Sequence, residues 1–441
     1  MIRAVRHNNL RKMRHYKLRT YRPLLAIFVL MAFASSCQPE DAPAGRSSDG
    51  DGDGVPEISD LCPSTPPNVI VDAGGCRLGL ASDTVLSRLP GFGGSDSSSL
   101  RHTGSVLPSP GDTTPPPGFV RMEVFFGTDR RPLDVTGTAA FYSKEIDSKL
   151  HFGSVVVSIP KRHAPGAVEA PSLSCFGAGM DPAEHVALLE IHPLDRPVWA
   201  TRLRSALEGA REPEALVYIH GYKRSFERAA RTAAQLAFDV NFPGVPLLYS
   251  WPSNDEAGDY TADYQATEET TIHLADFLNE VVEQTGAGRV HVIGHSLGNQ
   301  ALMNALEVIS AARTDTLFEN LILSAPDVSA RVFVDQLAPR IIRTAARTTL
   351  YARSPDRALQ VSETLRESRR LGQAGDSIVV LEEMDTIDAS KVDTDFIGHG
   401  YTLTTKTAID DLFMLLVNRH APGNRNLDAF SKDGLAYWGL R

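Results

Sequence analysis

The pentapeptide Gly294-His295-Ser296-Leu297-Gly298 constrains the fold of this chain more than any other feature. It follows a stretch that predicts a buried strand, 289–293, and precedes a helical pattern that begins near Asn299. A serine on a sharp strand-to-helix turn has strained backbone angles, and flanking glycines remove side chains that would clash. The helix N-terminus behind the turn favours negative charge on a reacting group. We therefore predict that Ser296 is a nucleophile, the alternative being a glycine-rich turn without a chemical role.

Strand-like apolar runs alternate with amphipathic helical patterns from about Val120 to near the C-terminus. This alternation predicts an α/β fold with a mostly parallel sheet covered by helices, and the serine turn makes it an α/β-hydrolase fold over residues 119–441. The predicted strands are 124–126 and 154–159 at one sheet edge, then 216–219, 247–249, 290–293, 321–323, 348–351 and, as the last, 377–381. The predicted helices are 226–238, 268–283, 300–311 and a closing helix over 407–417.

A nucleophilic serine needs a base and an acid that orients the base, and in this fold they follow the serine in the order acid, histidine. Asp356 comes shortly after the strand predicted at 348–351, where parallel sheets place catalytic side chains. His399 lies between two glycines before the last predicted helix. We predict Asp356 as the acid and His399 as the base. Asp327, after the preceding strand, and His420, beyond the last helix, are the alternatives.

Two backbone N–H groups should form the oxyanion hole of such a site. One is the N–H of Leu297, directly after the nucleophile. The other should follow the strand at 216–219, where Gly221 lets the backbone approach the substrate and Tyr222 offers its N–H. We assign no acid–base role to His220. The polar stretch 254–267 is where we expect substrate contacts.

Several stretches together resemble one known family. They are 125–130 (FFGTDR), 153–160 (GSVVVSIP), 218–222 (YIHGY), 249–253 (YSWPS), 294–299 (GHSLGN), 325–327 (APD), 356–359 (DRAL), 387–388 (ID) and 398–399 (GH). In this order, residues 120–417 resemble the α/β hydrolases of unknown function described as DUF900. The resemblance implies the hydrolase fold and a Ser-Asp-His site, and it implies no particular substrate.

An acidic segment near the N-terminus has the oxygen spacing of a calcium-binding loop. Positions 1, 3, 5, 7, 9 and 12 of that loop, with glycine at position 6, fall on Asp49, Asp51, Asp53, the Val55 carbonyl, Glu57 and Asp60, with Gly54 at the turn. With its continuation to Cys76, the segment resembles a thrombospondin type 3 repeat. We predict a calcium module over 49–80 with a structural Ca²⁺, the alternative being a solvated acidic linker.

The first residues predict export. Basic residues crowd the start of the chain, and the apolar run 24–33 is too short to span a membrane but fits a signal peptide, which we place at 1–36. Met13 is an alternative start. The segment Ala34-Ser35-Ser36-Cys37 resembles a bacterial lipobox, so we predict lipidation of Cys37 and a membrane-anchored envelope lipoprotein. A periplasmic or secreted protein is the alternative.

The rest of the N-terminal region predicts connecting and cross-linked segments. Residues 37–48 are a tether, and residues 81–118, rich in Pro, Gly and Ser, are a linker. Because disulfides persist outside the cytoplasm, Cys62 and Cys76 are predicted to pair. Cys175 is expected to be a buried small side chain.

These features together predict an envelope-anchored serine hydrolase that cleaves a carboxylic ester or a related acyl bond of a small or lipid-like substrate, without a catalytic cofactor. The formal net charge of −10 gives no electrostatic reason to expect a nucleic-acid partner. The alternatives are a binding or adhesion lipoprotein that has lost activity, and an acyltransferase or peptidase that uses the same triad.

Overall fold

One mixed sheet of eleven strands organises the part of the chain that the computed structural model describes, residues 118–133, 141–171, 180–254, 260–392 and 400–441. The strands are β1 (Phe119–Pro132), β2 (Tyr142–Pro160), β3 (Leu188–Leu194), β4 (Glu214–Ile219), β5 (Val245–Ser250), β6 (Arg289–His295), β7 (Phe318–Ser324), β8 (Ala345–Ala352), β9 (Asp385–Asp388), β10 (Leu427–Lys432) and β11 (Leu435–Leu440). Their spatial order is β10-β11-β9-β8-β7-β6-β4-β5-β1-β2-β3.

Helices cover both faces of this sheet. They are α1 (Arg196–Gly209), α2 (Phe226–Asp239), α3 (Tyr260–Glu269), α4 (Thr271–Gln284), α5 (Gly298–Ala312), α6 (Arg357–Arg366), α7 (Tyr401–Thr404) and α8 (Lys406–Leu416). Short helical turns fill Ala330–Val332, Phe333–Leu337, Ala338–Ile341, Ile342–Thr344 and Pro422–Asn424. No helix of the described residues has the length and apolar character needed to cross a membrane.

Strands β5, β4, β6, β7, β8 and β9 run parallel, so their carboxyl ends meet at one edge of the sheet. The strand that leads to Ser296, β6, lies between β4 and β7, with Gly294 opposite Ile219 and His295 opposite Ser324. Loops that follow these strands therefore converge beside Ser296, as expected where parallel sheets carry their sites.

Two apolar layers hold the helices against the sheet. One layer packs α1, α4 and α5 through Trp199, Phe277 and Leu302, and the other packs α2 and α8 through Phe226 and Leu412. The central strands are buried on both faces, and all six residues of β4 are buried. That is why these strands read in the sequence as continuous apolar runs rather than alternating ones.

The structure confirms the α/β arrangement and corrects it at both ends of the sheet. The edge strands predicted at 124–126 and 154–159 belong to a long antiparallel pair, β1 and β2, of 14 and 19 residues. Charged residues interrupt their apolar pattern because part of each strand faces solvent.

Residues 377–381 do not form the last strand. The strand that follows β8 is instead β9. Its four residues include two aspartates and so carry a weak strand signal. The chain also continues beyond the helix predicted at 407–417, because the hairpin β10–β11 follows α8.

The helix predicted over 268–283 is confirmed as α4, Thr271–Gln284; its first two residues, 268 and 269, end α3, and Thr270 stands between the two helices. The Thr270 hydroxyl donates to the buried Asp129 carboxylate at 2.7 Å. Such a side-chain contact is not visible in an apolar periodicity. The strand β3 and the helix α1 were also not predicted from the sequence.

Candidate active site

Ser296 lies in a strained turn between β6 and α5. Its φ angle is 54°, in the left-handed region that a serine rarely adopts. Its N–H donates to the Ser324 carbonyl at 3.0 Å, and its carbonyl accepts from the N–H groups of Asn299 and Asp327 at 3.0 and 3.1 Å. Backbone bonds to β7 and α5 therefore fix the strained residue, and the strained turn predicted from the sequence is confirmed.

The glycines around this turn are required by close backbone approach. A Cβ on Gly298 would lie 2.2 Å from the His220 carbonyl oxygen, and a Cβ on Gly221 would lie 2.8 Å from Cβ of Ser296. The loop that follows β4 is thus packed directly against Ser296. This contact brings together the two segments from which the oxyanion-hole donors were predicted.

Leu297 and Tyr222, the two predicted donors, belong to these two segments. Leu297 is the residue before the first turn of α5 and is fully buried. Tyr222 follows Gly221 in the β4 loop, and its ring packs edge-to-face on Tyr260 of α3. The helix dipole of α5 adds to the positive potential at the backbone of Leu297.

Both candidate acids are buried near the carboxyl ends of β7 and β8, but their carboxylates have different surroundings. Asp327 accepts from the Tyr260 hydroxyl at 2.7 Å and from the Ser362 hydroxyl at 2.6 Å, and Nε of Arg370 lies 3.8 Å from it. It therefore ties α3 to α6. Asp356 precedes α6, and one of its oxygens accepts from the Leu359 N–H at 3.0 Å.

Of the two candidate bases, only His420 lies within the described residues. His399 lies outside the described residues, which stop at Val392 after β9 and resume at Gly400. The carbonyl of His420 accepts from Arg347, near the start of β8. Because the strands are parallel, His420 lies near their amino ends, whereas Ser296 follows the carboxyl end of β6.

Of the polar stretch 254–267, residues 260–267 lie in α3, which packs over the site, and 255–259 lie outside the described residues. Asp263 of this helix accepts from the Ser253 hydroxyl at 2.6 Å and from the N–H groups of Asn254 and Lys223 at 2.8 and 3.4 Å. Burial raises the pKa of Asp263 despite these bonds. Helix α3 is thus bound to the β4 loop by Asp263 and to Asp327 by Tyr260.

Three residues beside the site were not assigned a role from the sequence. Arg130 at the end of β1, Ser250 at the end of β5 and Trp251 after it form contacts around His220. They lie within the family-like stretches 125–130 and 249–253, which was the available signal. Their contacts join segments that are distant in the sequence, and no local sequence pattern shows such contacts.

The predicted sites of the N-terminal region lie outside the described residues. They are the lipidation site Cys37, the calcium ligands Asp49, Asp51, Asp53, Val55, Glu57 and Asp60, and the cysteines Cys62 and Cys76. Cys175 lies outside the described residues as well.

The comparison with known families agrees with this fold. The model of the family described as "Alpha/beta hydrolase of unknown function (DUF900)" matches residues 198–419, half of the chain. The chain belongs to this family. The predicted α/β-hydrolase fold is thereby confirmed. No curated protein matches the chain.

Solved structures match parts of the chain at low similarity. Phospholipase PlaB from Legionella pneumophila, in complex with thio-NAD, is 11% identical over 52% of this chain and 67% of its own, with a TM-score of 0.27. An esterase from Pyrobaculum calidifontis is 12% identical over 51% of this chain and 94% of its own, with a TM-score of 0.26. Pyrococcus horikoshii acylaminoacyl peptidase is 12% identical over 68% and 41%, with a TM-score of 0.27. These likenesses do not bear on the reaction.

Proposed function

We propose that this α/β hydrolase is a serine hydrolase that cleaves a carboxylic ester or a related acyl bond through an acyl-enzyme on Ser296. The observation that carries the proposal is the elbow itself: a serine at a φ of 54°, held by bonds to β7 and α5, with the β4 loop packed on its Cβ. Backbone strain of this kind is maintained at sites where it serves a function.

In the proposed reaction, Oγ of Ser296 attacks the carbonyl carbon while His399 takes the hydroxyl proton. The N–H groups of Leu297 and Tyr222 stabilise the oxyanion that forms. The tetrahedral intermediate expels the alcohol, which receives the proton from His399, and the acyl group stays on Oγ. His399 then deprotonates water, whose attack releases the carboxylic acid and restores the serine.

We propose Asp356 as the acid that orients His399. Ser296 follows β6, Asp356 follows β8 and His399 follows β9, so the chain order is Ser, Asp, His, as expected for this fold. The carboxylate of Asp327 accepts from two hydroxyls that connect α3 and α6. Its proposed role is to hold these helices over the site.

Labelling of the exported chain, residues 38–441, with a fluorophosphonate probe tests these roles. We expect labelling of the wild type, none of Ser296→Ala, and labelling slowed by a factor of about 10⁴ in Asp356→Asn and His399→Ala. Ser310→Ala, on the same helix α5, is the matched control and should label like the wild type. A folded wild type that does not label would contradict the proposal and favour a binding protein.

Asp327→Asn separates the two acids. If Asp356 is the acid, Asp327→Asn keeps measurable labelling but lowers the melting temperature, because the hydroxyls of Tyr260 and Ser362 lose a charged acceptor. The opposite pattern, with Asp356→Asn active and Asp327→Asn inactive on a folded protein, would assign the acid to Asp327.

We further propose that the enzyme is an envelope lipoprotein anchored at Cys37, with a Ca²⁺-binding spacer between anchor and enzyme. The sequence patterns described above support this. Radioactive palmitate should label the wild type in cells and not Cys37→Ser. Calcium should protect residues 38–118 from protease and EDTA should remove the protection; equal digestion in both would contradict the calcium module.

A further inference from the structure

The guanidinium of Arg130 lies buried among the loops that follow the strands next to Ser296. The residue is 1% exposed. Nε donates to the Ser250 hydroxyl at 2.9 Å, and Nη2 donates to the Arg224 carbonyl at 2.7 Å. Nη1 donates to the carbonyls of Ser253 and Ser143 at 3.2 and 3.1 Å. One side chain thus binds the loop after β4, the loop after β5 and the start of β2.

The contact to Ser250 continues to the residue that precedes the oxyanion segment. The Ser250 hydroxyl lies 3.2 Å from Nε2 of His220, and Nδ1 of His220 lies 2.9 Å from the Gly221 carbonyl. A carbonyl only accepts, so Nδ1 carries the proton and Nε2 accepts from the Ser250 hydroxyl. Every donor in this series therefore points from Arg130 towards Gly221.

His220 stays neutral in this arrangement. Burial lowers its pKa well below the usual value, and the positive charge of Arg130 lowers it further. The imidazole stacks on the Trp251 ring, with a centroid distance of 5.1 Å, and the Trp251 indole N–H donates to the His220 carbonyl at 2.7 Å. Both the side chain and the backbone of His220 are thus fixed next to Gly221.

The loop held in this way is the one that touches the nucleophile. Gly221 lies against Ser296, and Tyr222 follows it. On the far side of Tyr222, the Lys223 N–H donates to Asp263 and the Arg224 carbonyl accepts from Arg130. Tyr222 therefore lies between His220 and Arg224, and both of these residues are held by hydrogen bonds that lead to the Arg130 guanidinium.

We propose that Arg130 is a positioning residue that fixes the Tyr222 N–H for the oxyanion, acting through Ser250 and His220 on one side and through Arg224 on the other. The inference rests on the proposed serine-hydrolase function. Arginine suits this role because its planar group presents five donors in fixed directions, whereas lysine presents three from one atom. Lysine at this position should serve only some of the acceptors.

Amide hydrogen exchange tests the positioning without requiring activity. The N–H groups of Lys223 and Arg224 are protected by Asp263 and Ser253, so a peptide that contains them reports on the loop. In Arg130→Met we expect their exchange to be about tenfold faster, since local opening becomes easier. The control Arg425→Met removes another fully buried arginine side chain, bound to Asp411 of α8, and should leave this peptide unchanged.

Kinetics then tests the consequence for the reaction, with p-nitrophenyl butyrate as the probe ester. Arg130→Met should lower kcat about 100-fold with KM nearly unchanged, because a displacement of about 1 Å at a reacting group has this effect. Arg130→Lys should lie between Arg130→Met and the wild type. Added guanidinium at low concentration should partly restore Arg130→Ala and not Arg130→Met, whose side chain fills the space, and a general loss of stability cannot produce this difference.

The outcomes separate the two proposals. A folded wild type that neither labels nor hydrolyses esters refutes the proposed function, and the exchange comparison still decides whether Arg130 holds the loop. Unchanged exchange at Lys223 and Arg224 in a folded Arg130→Met overturns the inference. Unchanged kcat beside an active wild type also overturns it, because the loop would then not need the guanidinium for the reaction.

Discussion

The substitution Gly221→Ala tests the site with the smallest possible change, one methyl group. The added Cβ would lie 2.8 Å from Cβ of Ser296, 2.9 Å from Nδ1 of His295 and 3.0 Å from the His295 carbonyl oxygen. Carbon atoms in contact are about 3.5–4.0 Å apart, so the β4 loop and the elbow must separate by about 1 Å. The elbow is held by backbone bonds, so we expect the loop with Tyr222 to move.

A shift of about 1 Å in a group that stabilises the transition state lowers the rate about 100-fold. We therefore expect the second-order rate of fluorophosphonate labelling, and kcat for an activated ester, to fall about 100-fold in Gly221→Ala. The crowding also lowers the free energy of unfolding by about 1–3 kcal/mol. Melting curves must therefore show that the variant is folded at the assay temperature.

Gly209→Ala is the matched control. It makes the same substitution at the end of α1, where no atom lies within 4 Å of the added methyl group. Its labelling rate should equal that of the wild type, and its melting temperature should be equal or higher, because alanine favours a helix over glycine. If a folded Gly221→Ala labels as fast as the wild type, the β4 loop does not supply an oxyanion donor, and the assignment of Tyr222 is wrong.

Two buried ionic clusters away from the site make the stability depend on pH in opposite directions. Burial alone would raise the pKa of Glu214, but hydrogen bonds from His291 and a neighbouring arginine outweigh burial and lower it to about 2, from 4.5. Stability should therefore fall as pH drops from about 4.5 towards 2, and melting curves of Glu214→Gln should lack this fall. Burial lowers the pKa of His163, but its bonds to Asp239 and Glu169, at 2.8 and 2.9 Å, raise it overall above 6.5. Melting temperature should therefore decline as pH rises above 6.5, and His163→Gln should remove that decline; an equal decline in both proteins would contradict it.

The sequence by itself determined the elements whose causes are local. The strand before Ser296, the glycines around it and the helix after it are adjacent in the chain, and the structure has all three. Apolar runs predicted the central strands because burial on both faces leaves few polar residues in them. The order of the serine, the acid candidates and the histidine candidates could also be read from the sequence alone.

The sequence failed where local signals are weak or mixed. The four-residue strand β9 carries two aspartates, and the long hairpin of β1 and β2 mixes apolar and charged residues because it is partly exposed. Thr270, at the junction of α3 and α4, binds Asp129, which is 141 positions away. Apolar periodicity contains no information about such a contact.

Only the tertiary structure decided which polar residues lie around Ser296 and the loop packed on it. Arg130 and Ser250 are 120 positions apart, and Ser250 meets His220 from 30 positions away, yet the three form one series of hydrogen bonds. The structure also places His420 near the amino ends of the strands, away from Ser296. It shows that the Asp327 carboxylate accepts hydrogen bonds from two hydroxyl groups. The physical reason is that parallel strands bring their carboxyl ends together whatever their distance in sequence, and burial then requires each polar group to find a partner there.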